Sequence, residues 1–115
     1  MKKPETDGPL TETAFLILLA MIEPNHGYGV MQFVEERTKG RVVFGSGTLY
    51  GAINNLNRKG WIEPCQTDSE ERKKDYVITD EGLKQLKKEL LRLKQICQIG
   101  GEVLKERGVE FDKKI

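Results

Sequence analysis

Residues 45–63 combine amide, hydroxyl and guanidinium side chains at helical spacing. The segment reads GSGTLYGAINNLNRKGWIE. Successive residues of a helix turn by about 100°, so the aliphatic side chains share one arc and Tyr50, Asn54 and Arg58 lie on the other. Asparagine pairs bidentately with adenine and arginine with guanine, whereas hydroxyl groups suit phosphate oxygens. The spacing predicts a helix over residues 46–59 that packs through one face and reads DNA through the other.

The polar arc differs from an ordinary solvated helix face because it contains no carboxylate. The residues predicted to contact DNA from this segment are Ser46, Thr48, Tyr50, Gly51, Asn54, Asn55, Arg58 and Lys59. Small residues at the helix start would let its N-terminal amides approach a phosphate closely, and capping of the helix by Ser46 is an equally open interpretation. For the whole segment, the alternative is an amphipathic helix whose outer face is only polar.

Composition limits the class of protein before any motif is considered. A chain of 115 residues is about the size of one domain, and its net charge of +1 means that any nucleic-acid binding must come from local charge. No apolar run approaches the ~20 residues of a membrane-spanning helix. The first residues, MKKPETDGPLTETAF, fit poorly with a secretory signal. We therefore expect a cytoplasmic protein with no membrane contact.

The sequence lacks the spacings that metal binding or catalysis requires. Its two cysteines, Cys65 and Cys97, belong to no CxxC or Cys/His cluster, and His26 is its only histidine. These are too few soft ligands for a structural zinc site, so both cysteines are predicted to be small buried hydrophobes. No paired-carboxylate or nucleophile–base spacing stands above chance. We therefore predict no metal, no cofactor and no enzyme activity, and His26 is expected to start a helix.

Two helices are predicted to precede the helix over residues 46–59. Thr11 caps the first of them, and its apolar residues cover nearly the whole circumference. Pro24 ends that helix, since proline cannot continue the backbone hydrogen bonds. His26 opens the second helix, and Gly40 is placed to end it in a left-handed conformation. The first helix is therefore expected to be buried between the other elements.

A short hairpin is predicted after the third helix. Two extended runs, at residues 61–66 and 76–78, flank a polar loop at 67–75. Trp61 is expected to pack in the core or in an interface, and stacking on a ligand is the alternative. A strand, a charged loop and a strand directly after such a helix follow the order of a winged helix-turn-helix domain. The basic residues of the loop predicted to neutralise phosphates are Arg72, Lys73 and Lys74. The loop also contains four acidic residues, so a purely solvated loop is the alternative.

A long helix is predicted to end the fold. Thr79 caps it, and its apolar residues follow alternating steps of three and four. A helix of about 30 residues is about 45 Å long, which is too long for the small preceding domain to cover. Its stripe is therefore predicted to pair with a second copy about a two-fold axis. The stripe residues assigned to that interface are Leu83, Leu86, Leu90, Leu93, Cys97 and Leu104.

The alternative for this last helix is that it folds back on its own domain. Gly100 and Gly101 are a weak point, since each glycine costs about 1 kcal/mol in a helix interior, and whether they bend or end the helix stays open. The predicted fold is mainly α with a small β-hairpin. Its parts are a flexible arm at 1–9, a winged helix-turn-helix domain at 10–78, a dimerisation helix at 79–108 and a tail at 109–115.

Four segments of the chain resemble the PadR family of bacterial transcriptional regulators, specifically its short members with one C-terminal helix. They read LTETAFLILLAMIE, HGYGVMQFVEE, GSGTLYGAINNLNRKGWIE and ERKKDYVITDEG, in the family's order. The combination of HGYG, GTLYGA and the basic wing motif carries the resemblance. Where the family has PGTLY, this chain has SGTLY, with Ser46 in place of the proline.

The resemblance implies a homodimeric repressor with winged helix-turn-helix heads. The third helix would enter the major groove and the wing would reach the backbone or minor groove. The last helix would form the dimer with help from the first, where Phe15 is assigned to the interface. Such a dimer reads a pseudo-palindromic operator in double-stranded DNA with half-sites about 34 Å apart. Family members often respond to small hydrophobic molecules, so the resemblance implies a small hydrophobic effector; the alternative is that no small ligand exists and the abundance of the protein alone controls repression.

A second class of function is open on the sequence alone. A protein-interaction adaptor could share the winged-helix shape without recognising any specific operator. The near-neutral net charge and the acidic residues of the wing loop favour that alternative.

Overall fold

The computed structural model describes residues 8–65 and 74–111. These ranges form four helices and two strands: α1 (Glu12–Ala20), α2 (Gly27–Arg37), α3 (Ser46–Arg58), β1 (Ile62–Cys65), β2 (Asp75–Ile78) and α4 (Asp80–Glu106). The predicted fold class, mainly α with a small β-hairpin, is confirmed. Most of the predicted arm, wing loop and tail, at 1–7, 66–73 and 112–115, lies outside the described residues. No described helix is both long and apolar enough to cross a membrane.

The core lies where α1 packs on α2, α3 and α4. Apolar residues cover most of α1 beyond its first turn, and Ile17, Leu18 and the following Met21 are fully buried. As predicted, this helix lies between the other elements. The other fully buried apolar side chains are Val30, Val34, Leu49, Ile53, Leu56 and Ile62.

Side-chain hydrogen bonds determine where α1 and α4 begin. The Thr11 hydroxyl accepts a hydrogen bond from the Ala14 amide at 3.0 Å. The Thr79 hydroxyl accepts one from the Gly82 amide, also at 3.0 Å. Each satisfies an amide that the helix itself leaves without a partner. Both predicted caps are confirmed.

α3 begins and ends through glycine. Gly45 occupies its cap position and makes no side-chain hydrogen bond, so the interpretation that Ser46 caps this helix is wrong and Ser46 is its first residue. At the other end, Gly60 has a φ of +79°, the left-handed conformation that glycine adopts without strain. The Trp61 amide then donates to the Leu56 carbonyl at 3.1 Å. The chain therefore turns directly from α3 into β1.

β1 and β2 form an antiparallel hairpin in which Ile62 pairs with Ile78. The second strand also bonds to the connection between α1 and α2. Asn25 and Tyr76 exchange backbone hydrogen bonds of 3.0 and 2.9 Å, and the Ile78 amide donates to the Met21 carbonyl at 2.8 Å. β2 is therefore held on both edges, which joins the base of the wing to the helical core.

α4 is one continuous helix of 27 residues, about 40 Å long. Its first turns pack on the domain, where Gly82, Leu86 and Glu89 are buried. Beyond Glu89, most of its side chains are exposed in the single chain. Gly100 and Gly101 lie inside the helix, so they do not end it.

Glu89 is a buried carboxylate that the sequence pattern does not single out. Its side chain is 6% exposed and accepts a hydrogen bond from Nε of Arg92 at 3.1 Å. The backbone amide of Leu10 also donates to it. The hydrogen bond from Arg92 outweighs the effect of burial and lowers the pKa of Glu89 below its ordinary value. The hydrogen bond between Leu10 and Glu89 therefore fastens the segment before α1 to α4.

Candidate nucleic-acid interface

α3 has the two faces that its sequence predicts. Leu49, Ile53 and Leu56 are buried against the core. All the residues assigned to DNA contact from this segment are exposed: Ser46, Thr48, Tyr50, Gly51, Asn54, Asn55, Arg58 and Lys59. The structure thus gathers them on one surface, and their contact with DNA stays a prediction.

The exposed face of α3 has positive charge at its C-terminal end and no acidic residue in the helix. Arg58 is the last residue of α3. The ammonium nitrogen of Lys59 lies 4.7 Å from the centroid of the Trp61 ring, an arrangement that attracts a cation to the ring face. Trp61 is 8% exposed and packs in the core as predicted. The Trp61 ring therefore positions Lys59 beside the exposed face of α3.

One of the three basic residues assigned to the wing lies within the described residues. Lys74 is exposed directly before β2, and its ammonium nitrogen lies 5.9 Å from the centroid of the Tyr76 ring. Arg72 and Lys73 lie outside the described residues, as does most of the loop at 67–75. Their contact with phosphates stays a prediction.

A cavity of about 430 Å³ opens between the start of α2, the outer side of α3 and the start of β2. All three tyrosines of the chain and its only histidine line it. Its polar lining residues are His26, Tyr28, Tyr50, Asn54, Lys74 and Tyr76. Sequence analysis assigned half of these to DNA contact and missed His26, Tyr28 and Tyr76. The signal it could have used is the tyrosine of the HGYG motif, an aromatic residue at the first turn of a helix.

Close contacts in this structure explain why both glycine positions of the HGYG motif lack a side chain. A β-carbon at Gly27 would overlap the phenol of Tyr50, so the bare backbone lets α3 place that ring against α2. A β-carbon at Gly29 would overlap the side chain of Asn25, whose Oδ1 accepts a hydrogen bond from the His26 amide at 2.9 Å. The motif therefore shapes one wall of the cavity.

His26 and Asp75 face each other beside the cavity. Nδ1 of His26 lies 3.7 Å from Oδ1 of Asp75. That oxygen is fully buried and has no hydrogen-bond partner in the part of the chain that the structure describes. His26 occupies the cap position of α2, which confirms its predicted role at a helix start. Its ring also brings the start of α2 next to the first residue of β2.

The two cysteines lie in different environments. Cys65 is half-buried at the end of β1, and burial, assisted by the charges of Asp75 and Glu63, raises the pKa of its thiol. Cys97 is exposed on α4, so the prediction that it is buried is wrong for the single chain. Among residues 8–65 and 74–111, no three side chains of His, Cys, Asp or Glu are grouped so that they could hold a metal ion.

The residues assigned to the dimer interface fall into two sets. Leu86 lies in the core of its own domain, and Phe15 and Leu83 are half-buried against that core. The others lie on the part of α4 that the domain leaves uncovered: Leu90, Leu93, Cys97 and Leu104. The same part exposes four more large apolar side chains: Leu91, Ile96, Ile99 and Val103. Leu86 therefore stabilises its own domain, and the apolar surface available to a partner begins after Glu89.

Known proteins share this architecture. The sequence pattern of the PadR-like family of transcriptional regulators matches residues 15–88, from within α1 to the packed turns of α4. No curated protein sequence matches the chain.

Three solved structures illustrate the likeness. A transcriptional regulator from Clostridium thermocellum is 26% identical and aligns over 78% of this chain and 87% of its own, with a TM-score of 0.69. A PadR family regulator from Eggerthella lenta is 24% identical over 79% and 80%, also with a TM-score of 0.69. A PadR-like regulator from Bacillus cereus is 20% identical over 80% and 89%, with a TM-score of 0.67. The family pattern matches more than half of the length of this chain, which shows that the chain belongs to the PadR-like family of DNA-binding transcriptional regulators.

Proposed function

We propose that the chain is a cytoplasmic, homodimeric repressor that reads a pseudo-palindromic operator. Two copies would join through α4, and each would insert α3 into the major groove while its wing contacts the backbone. Membership of the PadR-like family supports the DNA-binding role. A two-fold dimer with two such heads reads half-sites about 34 Å apart.

The observation that carries this proposal is the division of α3 into a buried apolar face and an exposed face without a carboxylate. Asn54 and Arg58 lie on the exposed face, and no described residue forms a hydrogen bond or an ion pair with either side chain. Their amide and guanidinium groups are the partners that adenine and guanine edges require. A carboxylate on this face would repel the phosphates, and the helix contains none.

A second copy of the chain is the occupant we propose for the uncovered part of α4. From Leu90 to Leu104 this apolar stripe extends for about 21 Å. Single apolar residues on a surface need no explanation, whereas a continuous exposed stripe of this length indicates an interaction surface. A stripe on one helix can meet the same stripe of a second copy about a two-fold axis, so a single surface serves both partners. The area outside the domain would then be buried in the dimer.

A small hydrophobic effector that relieves repression is also part of the proposal. α4 contains no aromatic residue, so a flat ligand could not stack between α4 rings at the centre of the dimer. Aliphatic side chains such as Leu93 and Ile96 would contact it instead. Such an effector should weaken operator binding when it is added to the purified dimer.

Alanine substitutions on the exposed face of α3 test the proposal. Asn54→Ala and Arg58→Ala should each weaken operator binding by about 1–3 kcal/mol, because each removes a bidentate base contact. Arg107→Ala, at the far end of α4, is the matched control and should bind as the wild type does. The measurement is a titration, at fixed salt, of the promoter fragment upstream of the chain's own gene. Wild-type affinity in both α3 variants would refute α3 as the reading element.

An adaptor that binds another protein is the second candidate. The net charge of +1 favours it, because such a charge gives little long-range attraction to DNA. Competition in the same titration separates the two functions. Release by unlabelled operator but not by unrelated DNA supports the repressor, whereas equal release by both supports the adaptor.

A further inference from the structure

We propose that the cavity between α2, α3 and β2 binds one phosphodiester group of the operator backbone, with Tyr28 as the contact that α2 contributes. This inference rests on the proposed function, since it takes α3 as the element that lies against DNA. The cavity joins three elements: Tyr28 comes from α2, Tyr50 and Asn54 come from α3, and Lys74 directly precedes β2.

The described lining of the cavity supplies hydrogen-bond donors and a cation. Three tyrosines, Asn54 and Lys74 line it, and none of the lining residues that the structure describes is acidic. The carboxylate that follows Lys74, that of Asp75, has its Oδ1 fully buried and 3.7 Å from Nδ1 of His26. Tyrosine, asparagine and lysine side chains are common donors to phosphate oxygens. The lining therefore suits a phosphate oxyanion.

The tyrosine hydroxyl groups of the cavity have no hydrogen-bond partner among the described residues. No described residue forms a hydrogen bond with the hydroxyl of Tyr28, Tyr50 or Tyr76. Tyr28 and Tyr50 are 63% and 49% exposed, whereas Tyr76 is 8% exposed. Two large rings with unengaged hydroxyls therefore stand at the solvent side of the cavity, and the third lies deep in it. An incoming ligand would find these donors already in place.

Continuity with the exposed face of α3 identifies the ligand as DNA backbone. Tyr50 and Asn54 belong both to the lining and to that face. When a helix enters the major groove, the phosphates that border the groove lie against the elements beside it. The start of α2, with Tyr28, is such an element. A contact there fixes the register of α3 and carries no sequence information of its own.

Removing one hydroxyl tests this inference. Tyr28→Phe should bind about 3- to 10-fold more weakly to operator and to unrelated DNA alike, because a phosphate contact does not discriminate between sequences. Since Tyr28 is mostly exposed, the variant should keep the thermal midpoint of the wild type. Wild-type affinity in a folded Tyr28→Phe protein would overturn the inference.

A backbone scan locates the contact. Operators with a single neutral methylphosphonate, placed in turn at each phosphate of a half-site, should reveal one position that costs the wild type about tenfold in affinity but costs Tyr28→Phe little. Identical scans for the two proteins would overturn the inference. A third outcome would also overturn the inference: the scan shows no such position, and inorganic phosphate competes with the operator. The cavity would then bind a free anion.

A lysine pair provides a matched control for charge. Lys74→Gln should lower the salt slope of binding by about 1, whereas Lys84→Gln, at an exposed position of α4, should leave the slope unchanged.

Asn54→Ala distinguishes failure of the cavity assignment from failure of the proposed function. If it weakens operator binding while Tyr28→Phe does not, the cavity assignment fails and the proposed function stands. If neither variant changes affinity, the proposed function fails as well.

Discussion

Substituting Gly82 by alanine should destabilise the protein, although alanine is the better helix former. A β-carbon at Gly82 would overlap the backbone carbonyl oxygen of Trp61 and lie 2.9 Å from Cγ1 of Ile78. That carbonyl is held in place, because it accepts a hydrogen bond of 3.0 Å from the Thr79 amide. The Thr79 hydroxyl also donates to the Gly60 carbonyl at 2.7 Å. The first turn of α4 is thus packed directly against the turn between α3 and β1.

The magnitude follows from two opposing effects. Forcing an extra carbon into a packed site costs about 1–3 kcal/mol, and the obstacle here is backbone that cannot swing aside. Alanine regains about 1 kcal/mol over glycine in helix propensity. Because the obstacle is fixed backbone, the steric effect should win, with a net loss of up to about 2 kcal/mol. In a domain of this size each kcal/mol lost lowers the thermal midpoint by about 4–8 °C.

Thermal unfolding followed by circular dichroism measures the loss, at one protein concentration because the midpoint of a dimer depends on it. Gly51→Ala is the matched control, since Gly51 is also inside a helix but nothing lies within 4 Å of its added β-carbon. That variant should gain about 1 kcal/mol. A Gly82→Ala protein as stable as the wild type would refute the reasoning, because the contact with the Trp61 carbonyl would then have been absorbed without cost.

Three further substitutions test other parts of the structure. Glu89→Gln should reduce the dependence of stability on pH, because the hydrogen bond from Arg92 lowers the pKa of Glu89 from 4.5 in the folded protein. The ionised carboxylate therefore stabilises the fold above pH 4.5, and that stabilisation is lost as the pH falls through the pKa of Glu89 in the folded protein. Urea unfolding across the acidic range measures it, and parallel curves for the two proteins would contradict the prediction. Gly27→Ala should remain folded but displace the Tyr50 phenol and weaken DNA binding, and unchanged affinity would show that this ring is not a contact. Leu93→Asp should shift the protein toward monomer in sedimentation, because dimerisation would bury an unpaired charge, and an equally tight dimer would exclude this face of α4.

α3 shows how much of the candidate site follows from local sequence. Leu49, Ile53 and Leu56 recur at steps of three and four, and these are the residues that the structure buries. Asn54 and Arg58 lie on the other arc and are exposed. Helix geometry relates residues only a few positions apart, so this division could be predicted without knowing what covers the apolar side.

The apolar stripe of α4 shows where sequence is insufficient. The stripe continues with the same spacing past Leu86 and Leu93, yet the first is in the core of its domain and the second is exposed. The difference depends on where the other helices end beneath α4. Glu89 is a second example, since a carboxylate on a charged helix is usually solvated. Its burial results from the approach of the segment that contains Leu10.

The tyrosine cavity depends entirely on tertiary structure. Tyr28, Tyr50 and Tyr76 lie in three different elements, and no pattern within one element relates them. They converge because α3 packs closely at Gly27 and because Asn25 joins β2. The amino-acid order alone determined which segments become helices, where they start and which arcs are apolar, since these depend on neighbours a few residues apart. Packing decided which parts of those arcs stay exposed and which side chains meet, because burial depends on elements that are distant along the chain.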